Sequence, residues 1–128
     1  MKRGGILNPA LARLLASSGH TDFFTVCDRG FPVPTEPERI DLALVDDVPT
    51  VLDVLRAVLA EFSVDRVLVA HEMHEVSPGR VAELRALLGE VPLEAVSHLE
   101  LKRLSHAARA TVRTGDTCAY GNVIVVSG

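Results

Sequence analysis

Aromatic residues are nearly missing from this sequence: in 128 residues there is no tryptophan, one tyrosine and four phenylalanines. Its core must therefore be built mainly from Val, Leu, Ile and Ala. Cysteine is as scarce, with Cys27 and Cys118 alone. They could form one disulfide at most, nothing else marks an oxidising compartment, and both are expected to be reduced and partly buried. Positive charge is in deficit, 13 Lys and Arg against 17 Asp and Glu for a net charge of −4, and no basic run occurs. That argues against a phosphate-binding surface and a nucleic-acid partner. No apolar run approaches the roughly 20 residues of a bilayer span, so no membrane partner is expected. The start, Met1-Lys2-Arg3-Gly4-Gly5, is basic but has no apolar stretch behind it, unlike a secretory signal. The expected location is the cytoplasm. Phosphate-cradling loops are missing too: there is no G-x-x-x-x-G-K-[ST], and no G-x-G-x-x-G follows a candidate strand. Kinase and dinucleotide-binding functions lose their main support.

What remains is an ordinary folded composition, 48% hydrophobic and 23% charged, with a mean hydropathy of +0.25. Residues 1–128 are expected to form one domain. Asn8-Pro9 ahead of Ala10–Ala16, with Gly19 beyond, predicts a helix with an Asn cap and Pro in its first turn. Asp22–Asp28 follows as a strand rich in β-branched and aromatic residues. A long loop over residues 29–39 leads to a second expected strand, Ile40–Leu44. Loops of that length usually line a site or an interface. Thr50 caps a helix through Leu59, and Arg66–Ala70 reads as a buried strand. Ser77-Pro78 opens a helix stopped by Gly89, and Leu93–Val96 is a strand. Ser97-His98-Leu99-Glu100 forms a capping box for a helix reaching Ala108. Ala110–Arg113 and Asn122–Val126 complete the strands. Strands alternating with helices predict a three-layer α/β/α fold around a mostly parallel or mixed sheet.

Few groups carry chemistry. His71-Glu72-Met73-His74-Glu75 has histidines three apart, whereas the zinc-protease pattern needs them four apart with Glu between. The expectation there is a solvated polar loop and no metal. His20 follows a helix end within Gly19-His20-Thr21-Asp22. It is either a cap for the last carbonyls or, since imidazole titrates near neutrality, a proton shuttle. Asp28 ends a strand before a Gly/Pro loop, where it either caps a turn or faces a ligand at the strand's carboxyl end. His98 begins a helix. Tyr120, beside the permissive Gly121 and the donor–acceptor Asn122, is either an ordinary strand-edge residue or a sugar contact with one apolar face and directional hydrogen bonds.

Taken in order, these pieces resemble the RbsD/FucU family of sugar pyranases and mutarotases. The resemblance rests on Lys2-x-Gly4, Leu7-Asn8, Gly19-His20-Thr21-Asp22, Cys27-Asp28-x-Gly30-Phe31-Pro32-Val33-Pro34, Arg39–Leu44, His98-x-x-Leu101-Lys102, Arg113-Thr114-Gly115 and Tyr120-x-Asn122, colinear over nearly the whole chain. Thr21 and the Gly-Phe-Pro-Val-Pro loop look like the ribose branch. The resemblance implies an isomerase interconverting the β-pyranose and β-furanose forms of D-ribose, with His20 as proton donor. It implies a sugar held at Asp28, His98, Tyr120, Gly121 and Asn122. It implies no metal or organic cofactor, and a ring-shaped homo-oligomer, commonly a decamer, with sites at subunit boundaries. Three residues depart from the family pattern: Leu99 stands where Glu is usual, Gly121 where Ala is usual, and Arg29 where a small residue is usual. The stretch between Pro78 and Val96 is also shorter than in many relatives.

Overall fold

The computed structural model describes residues 1–128. Helix α1, Pro9–Ser17, starts as expected: Asn8 Oδ1 accepts the Leu11 N–H at 2.9 Å, and Pro9 fills the first turn, where no N–H is needed. Strands β1 (Phe23–Cys27) and β2 (Glu38–Asp41) follow, then helix α2 (Val51–Leu59) and strand β3 (Val64–Ala70). Helices α3 (His71–Val76) and α4 (Pro78–Leu88) lead to strand β4 (Leu93–Val96). Helix α5 (His98–Ser105) and strands β5 (Ala110–Arg113) and β6 (Val123–Ser127) complete the chain. The Thr50–Asp53 capping box at α2 is reciprocal, side chain to backbone in both directions.

All six strands lie in one sheet, in the order β2-β5-β1-β6-β3-β4. Strand β6 pairs antiparallel with both its neighbours, and every other pairing is parallel, so the sheet is mixed. Side chains alternate between its faces with period two. On one face Phe24 and Val26, Val67 and Val69, and Val123 and Val125 pack against Leu14, Leu55, Met73 and Leu84 of α1, α2, α3 and α4. On the other, Cys27, Ile124 and Val126 meet Leu101 of α5 and Phe31 of the loop after β1. The three layers are therefore unequal, four helices against one helix and a loop. As the composition requires, the core is aliphatic, with Phe24 and Phe31 its only aromatic side chains.

Three sequence expectations shift. The second strand ends at Asp41 rather than continuing to Leu44, because its partner β5 stops at Arg113, opposite Asp41. Beyond Leu42, whose N–H still reaches the Arg113 carbonyl, the chain turns and the Leu44 N–H bonds to the Val48 carbonyl instead. The expected polar loop at His71–Glu75 is the short helix α3, anchored by Met73, which is wholly buried in the core. The last helix ends at Ser105, and its capping box is half-formed: Ser97 Oγ accepts the Glu100 N–H, while the Glu100 carboxylate turns to Arg103. No helix is long and apolar enough to cross a membrane.

Candidate functional site

Five of the six strands run in one direction, so their carboxyl ends share a rim of the sheet. In open α/β sheets ligands bind at that rim. The reversed β6 lies between β1 and β3 and delivers its amino end to the same place. Asp28 leaves β1 there, His98 opens α5 just past β4, and Tyr120, Gly121 and Asn122 lead into β6.

These segments enclose a cleft of about 280 Å³ lined by Asp28, His98, Tyr120 and Asn122, together with Gly30, Phe31, Pro32 and Ala119. Its size suits a small polar ligand rather than a large apolar one. Asn122, only 3% exposed, accepts the Asp28 N–H on Oδ1 at 2.8 Å and so ties together two segments 94 positions apart. The Asp28 carboxylate accepts the Gly30 N–H at 3.0 Å, an Asx-type turn that aims the acid. Burial raises the Asp28 carboxyl above its ordinary range and the nearby Asp116 adds to the rise, while N–H bonds from Gly30 and Phe31 and the proximity of His98 oppose it. A carboxylate whose affinity for a proton is raised this way is a stronger base than a solvated one.

The His98 ring stands edge-on to Tyr120, centroids 5.1 Å apart at 84°, and edge-on to Phe31 at 6.4 Å. Phe31, Tyr120 and His98 thus give the cleft an apolar wall beside its amide and carboxylate. The His98 Nδ1 atom is buried without a hydrogen-bond partner. Tyr120 is no ordinary strand-edge residue: it precedes β6 in a left-handed conformation, φ 55°. Non-glycine residues seldom adopt it, and it persists where the surroundings enforce it. Gly121 is buried behind the tyrosine, its N–H on the Cys118 carbonyl at 3.1 Å. A Cβ at Gly121 would stand 3.0 Å from that carbonyl oxygen, which leaves little room for the alanine usual in the resembling family.

His20 is not in this cleft. It is exposed at the opposite end of β1, where Thr21 and Asp22 still pair with Ser127. At about 3.3 Å per residue, the strand separates Asp22 from Asp28 by roughly 20 Å. Nor does His20 cap α1. The Ser17 and Ser18 hydroxyls both donate to the Leu14 carbonyl, and the Ser18 N–H to Leu15. His20 makes no hydrogen bond at all, while neighbouring Asp22 accepts the Gly19 N–H and pairs with Arg109. Arg29, beside Asp28, turns away from the cleft to pair with Asp46 at 2.6 Å. His71 and His74 lie on α3, and nowhere does the fold gather three or more His, Cys, Asp or Glu as a metal ion requires.

Sequence reasoning missed the supports. Glu72 of α3 accepts the His98 backbone N–H on both carboxylate oxygens, at 3.1 and 3.3 Å, fixing the start of α5. Asp116, almost wholly buried, is ion-paired with Arg80 at 2.8 Å. Burial alone pushes the Asp116 carboxyl up, but bonds from Arg80 and from the Cys118 and Val51 N–H groups outweigh it and hold it below the ordinary range. No periodicity links residues 26 or 36 positions apart, so no local signal could have paired them. A larger groove of about 720 Å³ along α5 passes Lys102, Arg103 and His106 and shares Pro32 with the cleft. It contains none of the residues expected to hold a sugar.

A small cleft of mixed apolar and hydrogen-bonding walls, at the carboxyl ends of a mixed sheet, places the protein among α/β proteins that bind a compact polar ligand at their strand ends. The particular family follows from comparison: the chain belongs to the RbsD / FucU transport protein family, whose model matches residues 1–128. The resemblance seen in the sequence is borne out. The chain is 45% identical over 128 residues to a D-ribose pyranase of Coprothermobacter proteolyticus, covering all of this chain and 98% of that one. It is 44% identical to a D-ribose pyranase of Laribacter hongkongensis over the same span and shares. Bacillus subtilis RbsD, solved in complex with D-ribose, matches all of this chain and 98% of its own with a TM-score of 0.95 at 38% identity. The fucose mutarotase of Streptococcus pneumoniae shares the fold at a TM-score of 0.71 and 18% identity, over 95% of this chain and 93% of that one.

Proposed function

We propose that this protein is a D-ribose pyranase, an isomerase that interconverts the β-pyranose and β-furanose rings of D-ribose. One observation carries the reading: the four side chains that the resemblance assigned to the sugar, Asp28, His98, Tyr120 and Asn122, line one cleft although they are scattered over 94 residues of sequence. The names of the full-length relatives support it, as does the ribose complex of the protein with the same fold.

Ring exchange requires opening one hemiacetal and closing another through the free aldehyde. One group protonates the ring oxygen while another takes the proton from the anomeric hydroxyl, and the roles reverse on closure. Positioned acid–base groups contribute roughly 10²- to 10⁴-fold each, enough for a reaction that already proceeds in water. No covalent intermediate and no cofactor is needed. In our reading His20 is the proton donor, Asp28 orients a sugar hydroxyl, and Asn122 and Tyr120 bind others. His20 lies too far from the cleft of its own chain to act there, so it serves the cleft of a second copy. The protein accordingly works as a homo-oligomer, in line with the decamer the resemblance implies, with residues 1–128 acting as one domain in the cytoplasm. Saturation-transfer NMR of ribose anomers tests the reading. Accelerated pyranose–furanose exchange is expected, with loss of most of it in His20→Ala. Ribose binding without any acceleration would make this a sugar-binding protein instead, and full exchange in His20→Ala would remove His20 from the mechanism.

A further inference from the structure

Arg80 and Asp116 are the one ion pair of the fold with both partners largely out of solvent, at 11% and 1% side-chain exposure. Their geometry is a fork: Arg80 Nη1 donates to Asp116 Oδ2 at 2.8 Å and Nη2 to Oδ1 at 3.2 Å. The two remaining acceptor positions of the carboxylate take backbone N–H groups, Val51 at 2.9 Å from the start of α2 and Cys118 at 2.9 Å. One carboxylate thus ties two helices to the segment that carries Tyr120 and Asn122. The main chain of Asp116 reaches the other side of the cleft, its carbonyl accepting the Arg29 N–H at 3.0 Å, one residue from Asp28. Arg80 also lies beside the far end of the segment: a Cβ added at Gly121 would stand 3.5 Å from its Nη1. Ser77, at the start of the same helix, donates its hydroxyl to the Ala119 carbonyl at 2.8 Å.

We propose that Arg80 and Asp116 are a positioning pair for the cleft, a buried clasp that holds residues 116–122 in the conformation that presents Tyr120 and Asn122 to the substrate. Neither side chain lines the cleft that holds these two residues. They act through the segment behind it. A buried carboxylate with a bidentate guanidinium and two N–H donors is fully satisfied, so it fixes its surroundings rigidly. The segment it fixes contains a non-glycine residue at positive φ, Tyr120, which relaxes unless its neighbours hold it. And a planar guanidinium is required, since lysine supplies a point charge without the fork. The proposal deepens the pyranase reading and rests on it for its kinetic consequences, but its structural core is testable without any sugar.

Tyr120 is the only tyrosine of a chain without tryptophan, so tyrosine fluorescence and its ring resonances report this segment alone. The full-length protein is compared with Arg80→Met and Arg80→Lys. In Arg80→Met the Tyr120 ring resonances, shifted in the native protein by the edge-on His98 ring, move toward free-tyrosine values while far-UV circular dichroism is retained. The apparent KM for ribose rises about tenfold or more, with kcat reduced less. Arg80→Lys falls between wild type and Arg80→Met in both readouts. A folded Arg80→Met protein with native Tyr120 resonances and native KM would overturn the proposal, however far its melting temperature fell. If Arg80→Met does not fold, Arg80→Lys decides in the same way: displaced Tyr120 resonances with a raised KM support the clasp, and native values for both overturn it. Absence of ring exchange in the wild type refutes the pyranase reading alone, because the Tyr120 resonances still test the clasp.

Discussion

Replacing Asn122 by Ala removes the acceptor for the Asp28 N–H and leaves that donor in place behind the cleft. A buried donor without a partner costs about 1–3 kcal/mol. Asp28 is only half-buried and the cleft is open, so water recovers part of the loss, and the lower part of that range, about 1–1.5 kcal/mol, is expected. With an unfolding entropy of about 2.1 cal/mol/K per residue, a 128-residue chain melts lower by about 4 °C for each kcal/mol. The variant should therefore lose about 4–6 °C. The same free energy appears in amide hydrogen exchange, where core amides of β1 that exchange through global unfolding lose about 5- to 12-fold in protection, and Asp28, which also loses its acceptor, loses at least as much. In the proposed binding role of Asn122 the sugar loses a hydrogen-bonding amide as well, so kcat/KM for ring exchange is expected to fall further, by about 10- to 100-fold. An Asn122→Ala protein with native Asp28 protection and native kcat/KM would refute both the structural bond and the binding role.

Burial raises the folded-state carboxyl of Asp28 above its unfolded value, so its contribution to stability is present below the ordinary carboxylate range and lost as pH rises through the raised value. Asp28→Asn, which keeps an acceptor for the Gly30 N–H, should stabilise the protein at pH 7 while suppressing ring exchange. Urea titrations at pH 7 and pH 3 check the sign, with the gain gone at the lower pH. Leu84 is wholly enclosed beneath α4, and Leu84→Ala should cost about 2–5 kcal/mol, seen as a lower urea midpoint at unchanged m-value. The Cys27 thiol is pushed up to about 12, first by burial and then by the charge of Asp28, whereas Cys118 is partly accessible. A thiol reagent at pH 8 should therefore modify one cysteine quickly, Cys118, and Cys27 only after denaturation; two fast equivalents would contradict that burial.

Element by element, the sequence was legible where the controlling interaction is local. The Asn8 and Thr50 caps bond to residues within a few positions, and Pro78 suits a first helical turn through its own fixed φ, so the sequence places α1, α2 and α4 almost to the residue. The end of β2 was not legible, because it depends on where β5 stops, some 70 residues later. Helix α3 was misread as a loop because Met73 has value only against a core that its own neighbours do not reveal. The cleft was legible as a set of residues through resemblance, and its Arg80–Asp116 support was not, because an ion pair leaves no spacing in sequence.

The sequence by itself determined the aliphatic core, the alternation of strands and helices, the poverty of positive charge and the identity of the residues capable of acid–base chemistry. Only the tertiary structure decided how they are shared out. Reversal of β6 brought Asn122 to the carboxyl ends of the parallel strands, within 2.8 Å of the Asp28 N–H. The length of β1 placed His20 at the far end from Asp28, though the two stand eight positions apart in the chain. The physical reason is common to both. A strand is a rigid spacer that carries its two ends to opposite rims of a sheet, and hydrogen-bonded pairing, which no single segment encodes, chooses which ends meet.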